Sequence, residues 1–305
     1  MKTIPQITRL TSIALLSGIL VFSACKKESS SDSAADKETY AAATGQAQSE
    51  ADIVFDDVFN NVVGVDSEVG VGAGVGVFSS SNTTDGAVET NGVNGVDSTR
   101  CFTVTYTQLA APARFPLQIT LDFGAGCTAR DGRTRKGKII TVYTGPLIVP
   151  GNSSTTTFDG YQVDSIKVQG THKVQNVSTS NNRAFKITVT GAKLTKPNGN
   201  YSEWNSEKTI TQTEGNGTPL LPLDDVFSVS GASNGSVLKN GQLFQWSTEI
   251  TNPLIKKFLC RWFVQGTVVL RKSNSPVAEL NYGTGTCDNK ATLTVNGVVR
   301  EITLP

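Results

Sequence analysis

After Met1 the chain contains no methionine, and among its 305 residues it has one histidine, His172. Those scarcities exclude a good deal of chemistry. A histidine-rich metal centre cannot be assembled, and a Ser-His-Asp triad would have to run through His172 alone. The text around it, Val168-Gln-Gly-Thr-His-Lys-Val174, alternates as a strand does. That turns His172 to one face beside polar neighbours, as a plain strand histidine. No close C-x-x-C pair offers a zinc site, and no cofactor is expected. Charge of one sign is also missing: 27 basic residues stand against 26 acidic ones, so nucleic-acid binding lacks its electrostatic basis. No apolar run is long enough for a permanent span, because the stretch from Leu10 to Phe22 is about 13 residues and a spanning helix takes roughly 20. Carboxylates remain, in Asp56-Asp57, Asp224-Asp225 and Glu203. Glycoside hydrolysis would need two of them facing each other across a cleft; surface or turn acids are the plainer reading.

What is present begins with an address. Met1 to Ala24 has Lys2 and Arg9 and no acid, then the short apolar run, then Ser23-Ala24, which is the pattern of a secretory signal. Val21-Phe-Ser-Ala-Cys25 resembles the lipobox of bacterial lipoproteins, although Phe22 stands where leucine is usual. The resemblance implies cleavage before Cys25 and a diacylglycerol on its sulfur, with acyl chains contributing about 0.8 kcal/mol per buried methylene to membrane binding. Residues 25–42 then read as a flexible tether, since Lys26-Lys-Glu-Ser-Ser-Ser-Asp-Ser is too poor in apolar groups to offset its ordering entropy. Lys26, where an inner-membrane lipoprotein would carry Asp, implies the outer membrane. Periplasmic and surface orientations both stay open.

Residues 43–98 divide into a helix and a Gly/Ser-rich connection. Val54, Val58, Val62, Val65 and Val69 recur at helical spacing, whereas Gly70-Val-Gly-Ala-Gly-Val-Gly76 fails the G-x-G-x-x-G pattern of a nucleotide loop. From residue 99 to 305 the text is strands and turns. Runs such as Leu117-Gln-Ile-Thr-Leu121, Ala184-Phe-Lys-Ile-Thr-Val-Thr190 and Phe244-Gln-Trp-Ser-Thr-Glu-Ile250 alternate. Asp131-Gly132, Asp159-Gly160, Asn198-Gly199, Asn234-Gly235, Asn240-Gly241 and Asn296-Gly297 read as hairpin turns between them. The expected fold is mainly β, an antiparallel sandwich or open curved sheet preceded by one short helix.

Four cysteines follow Cys25. Cys101 and Cys127 flank one segment, Cys260 and Cys287 another of almost equal length. The second cysteine of each pair follows a matching phrase, Leu121-Asp-Phe-Gly-Ala-Gly-Cys127 and Leu280-Asn-Tyr-Gly-Thr-Gly-Thr-Cys287, and a glycine lies ten residues beyond, Gly137 and Gly297. This predicts a duplicated three-strand unit, about 101–142 and 260–304. In each copy the first cysteine sits on one strand and the second just after its hairpin partner, which favours Cys101–Cys127 and Cys260–Cys287 among three connectivities in an oxidising envelope; buried free thiols are the alternative. Asp122-Phe-Gly124 also spells a kinase motif, without the other parts of a kinase, and is read as a turn. Arg130, Arg133, Arg135, Lys136 and Lys138 gather round a hairpin, where they could hold anionic glycan or lipid headgroups or form a solvated face. Trp204, Trp246 and Trp262 are either ligand platforms or strand packing.

The Cys-Lys-Lys opening, the valine helix, the run from Asp122 through Lys138 and Gly283-Thr-Gly-Thr-Cys-Asp-Asn289 together resemble uncharacterised lipoproteins of Bacteroidota. That likeness brings no activity with it. It does imply that Asp32-Ser33-Ala34, Asp97-Ser98-Thr99 and Asp164-Ser165-Ile166 match the phylum's O-glycosylation motif, at Ser33, Ser98 and Ser165. The expected function is a non-catalytic envelope protein, structural or ligand-binding, with a membrane, a glycan, a lipid or an envelope protein as partner. A lipid carrier with an apolar hollow and a polysaccharide hydrolase are the alternatives.

Overall fold

Ser33 opens the first element. Its hydroxyl accepts a bond from the amide of Asp36 (3.1 Å) and donates one to the Asp36 carboxylate (2.7 Å), which also accepts the Ser33 amide. This reciprocal capping box satisfies amides at the start of a helix. The same bonds from Ser33 lower the pKa of Asp36. The computed structural model describes residues 33–63, 102–128, 132–147, 149–215 and 224–304. Within them α1 (Ala34–Val63) runs for 30 residues, about 45 Å at 1.5 Å per residue. It therefore takes in residues 34–42, which composition had given to the tether. The cap and the alanine-rich text behind it favour a helix, and Tyr40 and Ala41 are buried against the sheet.

Every other described element is a strand: β1 (Thr103–Ala110), β2 (Ala113–Asp122), β3 (Cys127–Thr128), β4 (Thr134–Tyr143), β5 (Ser153–Val163), β6 (Ile166–Asn176), β7 (Ala184–Thr195), β8 (Tyr201–Glu214), β9 (Val226–Lys239), β10 (Gln242–Lys257), β11 (Gln265–Lys272), β12 (Ser275–Thr284), β13 (Lys290–Val295) and β14 (Val298–Thr303). They form one antiparallel meander in chain order from β1 to β14, with β3 a short side pairing on β4. The sheet is open, with β1 and β14 at its margins. Its inner face carries the alternate apolar residues, among them Ile119, Ile139, Val189, Val229, Leu270 and Leu293. The single helix makes contacts from Arg135 on β4 to Arg300 on β14, so the sheet curves around it.

Burial of α1 is deepest in its middle. Residues 47–55 are nine consecutive buried positions, leaving no face for solvent there. Val54, Val58 and Val62 of the valine stripe are buried, and Val65 and Val69 lie outside the described residues.

Three of the six expected turn dipeptides do turn the chain: Asn198-Gly199, Asn240-Gly241 and Asn296-Gly297. Asp159-Gly160 and Asn234-Gly235 instead lie inside β5 and β9. Gly160 sits at a bulge opposite β4, where a Cβ on Gly137 would be 2.4 Å from the Gly160 carbonyl. Of Asp131-Gly132, only Gly132 is described, in the loop before β4. Two hairpins that sequence missed use residues other than glycine at positive φ, Asp164-Ser165 and Ser273-Asn274.

The two stretches expected to be copies share a local hydrogen bond. Asp122 accepts the amide of Gly124 at 2.8 Å just after β2, and Asn281 accepts that of Gly283 at 2.8 Å inside the last residues of β12. The next aromatic is buried in both copies, Phe123 against Phe102 (5.3 Å) and Tyr282 against Phe263 (5.4 Å). The likeness ends there: Gly137 lies within β4, whereas Gly297 belongs to the turn after β13. Cys260 and Cys287 form a disulfide with Cα atoms 5.8 Å apart. Cys127 is disulfide-bonded too, and Cys101 lies outside the described residues.

Candidate functional site

The concave face of a curved sheet is where a ligand would be held, and here it is occupied by α1. Gln48 sits at the middle of the contact. Its side-chain oxygen accepts bonds from the indole N–H of Trp204 (3.1 Å), the indole N–H of Trp246 (3.1 Å) and the hydroxyl of Ser233 (2.8 Å), while its amide donates to Asp52 (3.0 Å). Gly235 makes the arrangement possible. It pairs with both Trp204 and Trp246 across neighbouring strands, and a Cβ there would stand 2.8 Å from the Trp246 ring. Trp204 and Trp246 are thus core residues, and Trp262 is half-buried with Arg261 over its ring.

Around this node the acids of α1 meet bases that point inward from the strands. Asp52 pairs with Lys208 on β8 and Asp56 with Lys256 on β10. Asp57 takes Arg135 through both of its oxygens (2.9 and 3.4 Å), with Arg133 at 3.9 Å. Glu50 binds Lys196 at 2.9 Å and Glu38 binds Arg300. Paired in this way, charges that would be prohibitive inside a protein become tolerable, and removing one partner is what becomes costly.

Two cations of the basic hairpin consequently face the protein interior. Arg133 and Arg135 are 6% and 3% exposed; Arg133 also binds Asp164 at 3.0 Å, and Lys138 binds Asp122 at 3.2 Å. Lys136 is exposed, and Arg130 lies outside the described residues. The reason is register. Odd-numbered residues 133 and 135 point to the concave face, where Asp57 awaits them.

His172 lies on that same face of β6, fully buried, stacked on Phe55 of α1 at 6.1 Å. Neither ring nitrogen has a hydrogen-bond partner, and burial pushes its pKa down to about 3. It is a neutral, packed ring. Asp56 and Asp57 are committed to their bases, while Glu203 is exposed on the convex face and binds Lys193 at 3.0 Å. Asp225, 1% exposed, accepts a bond from Gln212 at 2.7 Å; burial lifts its pKa to about 6. Asp224 next to it is exposed.

Among the described residues the cavities beside α1 are small. One cavity of about 40 Å³ lies among Phe55, Phe59, Trp204, Lys208, Val229 and Phe263, and another of about 50 Å³ lies beside Glu50 and Lys196. A wider hollow of about 580 Å³, near Glu207, Ala232, Glu249 and Arg271, is open to solvent. Among the described residues no three His, Cys, Asp or Glu side chains gather as metal ligands, and no helix is long and apolar enough to cross a membrane.

No family model, curated protein or solved structure matches the chain. Its geometry has to be read unaided.

Two further expected sites have definite places. Ser33 is the exposed cap of α1, and Ser165 is exposed in the turn between β5 and β6; Cys25 and Ser98 lie outside the described residues. Sequence reading missed Gln48 and Asp52, and it named Asp56 and Asp57 without their basic partners. Gln48, Asp52 and Asp56 do stand four residues apart on α1, a polar stripe beside the valine one, but their partners are 156 or more residues away along the chain. Only the inward phase of Lys208 in an alternating strand hints at them.

Proposed function

We propose that the protein is an envelope lipoprotein, held on the outer membrane by acyl chains at Cys25, and that its β domain acts there as a rigid, non-catalytic scaffold or binding surface. The anchoring half of this reading rests on the signal and lipobox text of residues 1–25. One structural observation supports the scaffold half: the concave face is filled by the chain's own helix, with Asp52, Asp56 and Asp57 each paired to a strand base. Carrying a lipid would require a site of roughly 300 Å³ or more, and the two cavities beside α1, about 40 and 50 Å³, fall well short of that, which supports a scaffold over a carrier. Ligands then belong to the convex face and the loops, where glycan or envelope protein could be met.

Anchoring is tested by fractionation with and without globomycin, beside a Cys25→Ala variant. Accumulated precursor under the drug and release of the variant from membranes are expected. Unchanged processing together with an equally membrane-bound variant would overturn the reading.

A further inference from the structure

In a meander, alternate turns share an end. The turns at 196–200, 240–241, 273–274 and 296–297 lie at one end, and the first turns of α1 lie with them: Tyr40 donates to the carbonyls of Gln245 and Arg271, and Lys272 stands 5.4 Å over its ring. The C-terminal part of α1 reaches the opposite end, where the Val62 carbonyl accepts the hydroxyl of Tyr143, next to the turn at 144–152. The first end exposes large apolar side chains, Leu243 at 53%, Val298 at 55% and Val299 at 61%. Lys37, Lys239, Lys272 and Arg300 share that rim with Asp36 and Glu38. Apolar tips also occur at the far end, Val149 and Val177 among them, so exposure alone does not choose between the two.

Chain length does choose. Cys25 and Ser33 are eight residues apart in sequence, a reach of at most about 29 Å at 3.6 Å per residue, whereas α1 is about 45 Å long. We infer that the rim formed by the α1 N-terminus, Leu243, Val298 and Val299 docks on the lipid bilayer, with the opposite end directed away from it. This rests on the acylation of Cys25 proposed above. A docked rim would place three apolar side chains at the headgroup boundary and fix the orientation of the domain, so that loops such as 144–152 and 177–183 become the outward-facing surface.

The test uses the full-length acylated protein in phosphatidylethanolamine/phosphatidylglycerol vesicles containing a nitroxide headgroup lipid. A fluorophore is attached to one introduced thiol per variant: Leu243→Cys, Val299→Cys, Val149→Cys or Val177→Cys. Several-fold stronger quenching at 243 and 299 than at 149 and 177 is expected. Equal, weak quenching at all four sites in vesicle-bound protein would overturn docking while leaving the anchor intact. Shielding of 243 and 299 that rises with protein density, without nitroxide quenching, would assign the rim to a second copy of the chain instead. Protein that fails to stay with the vesicles would show that the anchoring reading itself is at fault.

Discussion

Gln48 concentrates three incoming hydrogen bonds on one oxygen, in a place water does not reach. Its replacement by leucine would leave two indole N–H groups and a hydroxyl without an acceptor, at about 1–3 kcal/mol each for the worst satisfied of them. Gln48→Leu is expected to lose about 3–5 kcal/mol in urea unfolding, with tryptophan emission reporting the change; a loss under about 1 kcal/mol would contradict the node. Two buried titrating groups act in opposite senses. His172 has its folded pKa depressed to about 3, so its contribution is present above about pH 6.5 and is lost as pH falls through the window toward 3. Asp225 has its folded pKa raised to about 6, so its contribution is present below about pH 4 and is lost as pH rises toward 6. Because His172 is the only histidine, its ring carbon-bound protons give a single NMR titration. No titration between pH 8 and 4.5 is expected, while an ordinary midpoint near 6.5 would contradict its burial. Asp225→Asn should raise the melting temperature at pH 7.5, with the gain shrinking as pH falls from about 6 to about 4.

The helix and its sheet need each other. Alone, α1 carries acids and a glutamine on the faces it buries, and it has no strong intrinsic reason to persist in water. The sheet without it would expose Trp204, Trp246 and a row of inward lysines and arginines. A chain lacking residues 33–63 is therefore expected to aggregate or to remain unfolded by circular dichroism, and Asp57→Ala, which removes the carboxylate that buried Arg135 holds through two bonds, should cost about 3–5 kcal/mol. Alternation and turn chemistry made the strands legible in sequence, as in Leu117–Leu121 and Phe244–Ile250. The capping box at Ser33 was also written there, but the polar composition around it masked the helix start. What could not be read was the register that brings β4, β8 and β10 to one helix, because pairings across 78 residues or more leave no local trace. The same register explains the basic hairpin: five cations in one stretch suggested an anion site until phase placed two of them inside.

Across the molecule, the Cys260–Cys287 bridge ties the connection after β10 to the one after β12, close to one side of the open sheet. The Cys260–Cys287 bridge closes a loop of 27 residues, and its removal by paired serine substitution is expected to cost about 3.5 kcal/mol in the chain-entropy relation. Rigidity of this kind would suit the membrane-held scaffold proposed above. The claim beneath it all is that the chain begins, once mature, at an acylated Cys25. The intact mass of protein extracted from host membranes in mild detergent reads this directly. The account predicts a species starting at Cys25 and heavier than the polypeptide by two or three acyl chains with their glyceryl group; a mass equal to the unmodified polypeptide, or to a chain cut elsewhere, would contradict it.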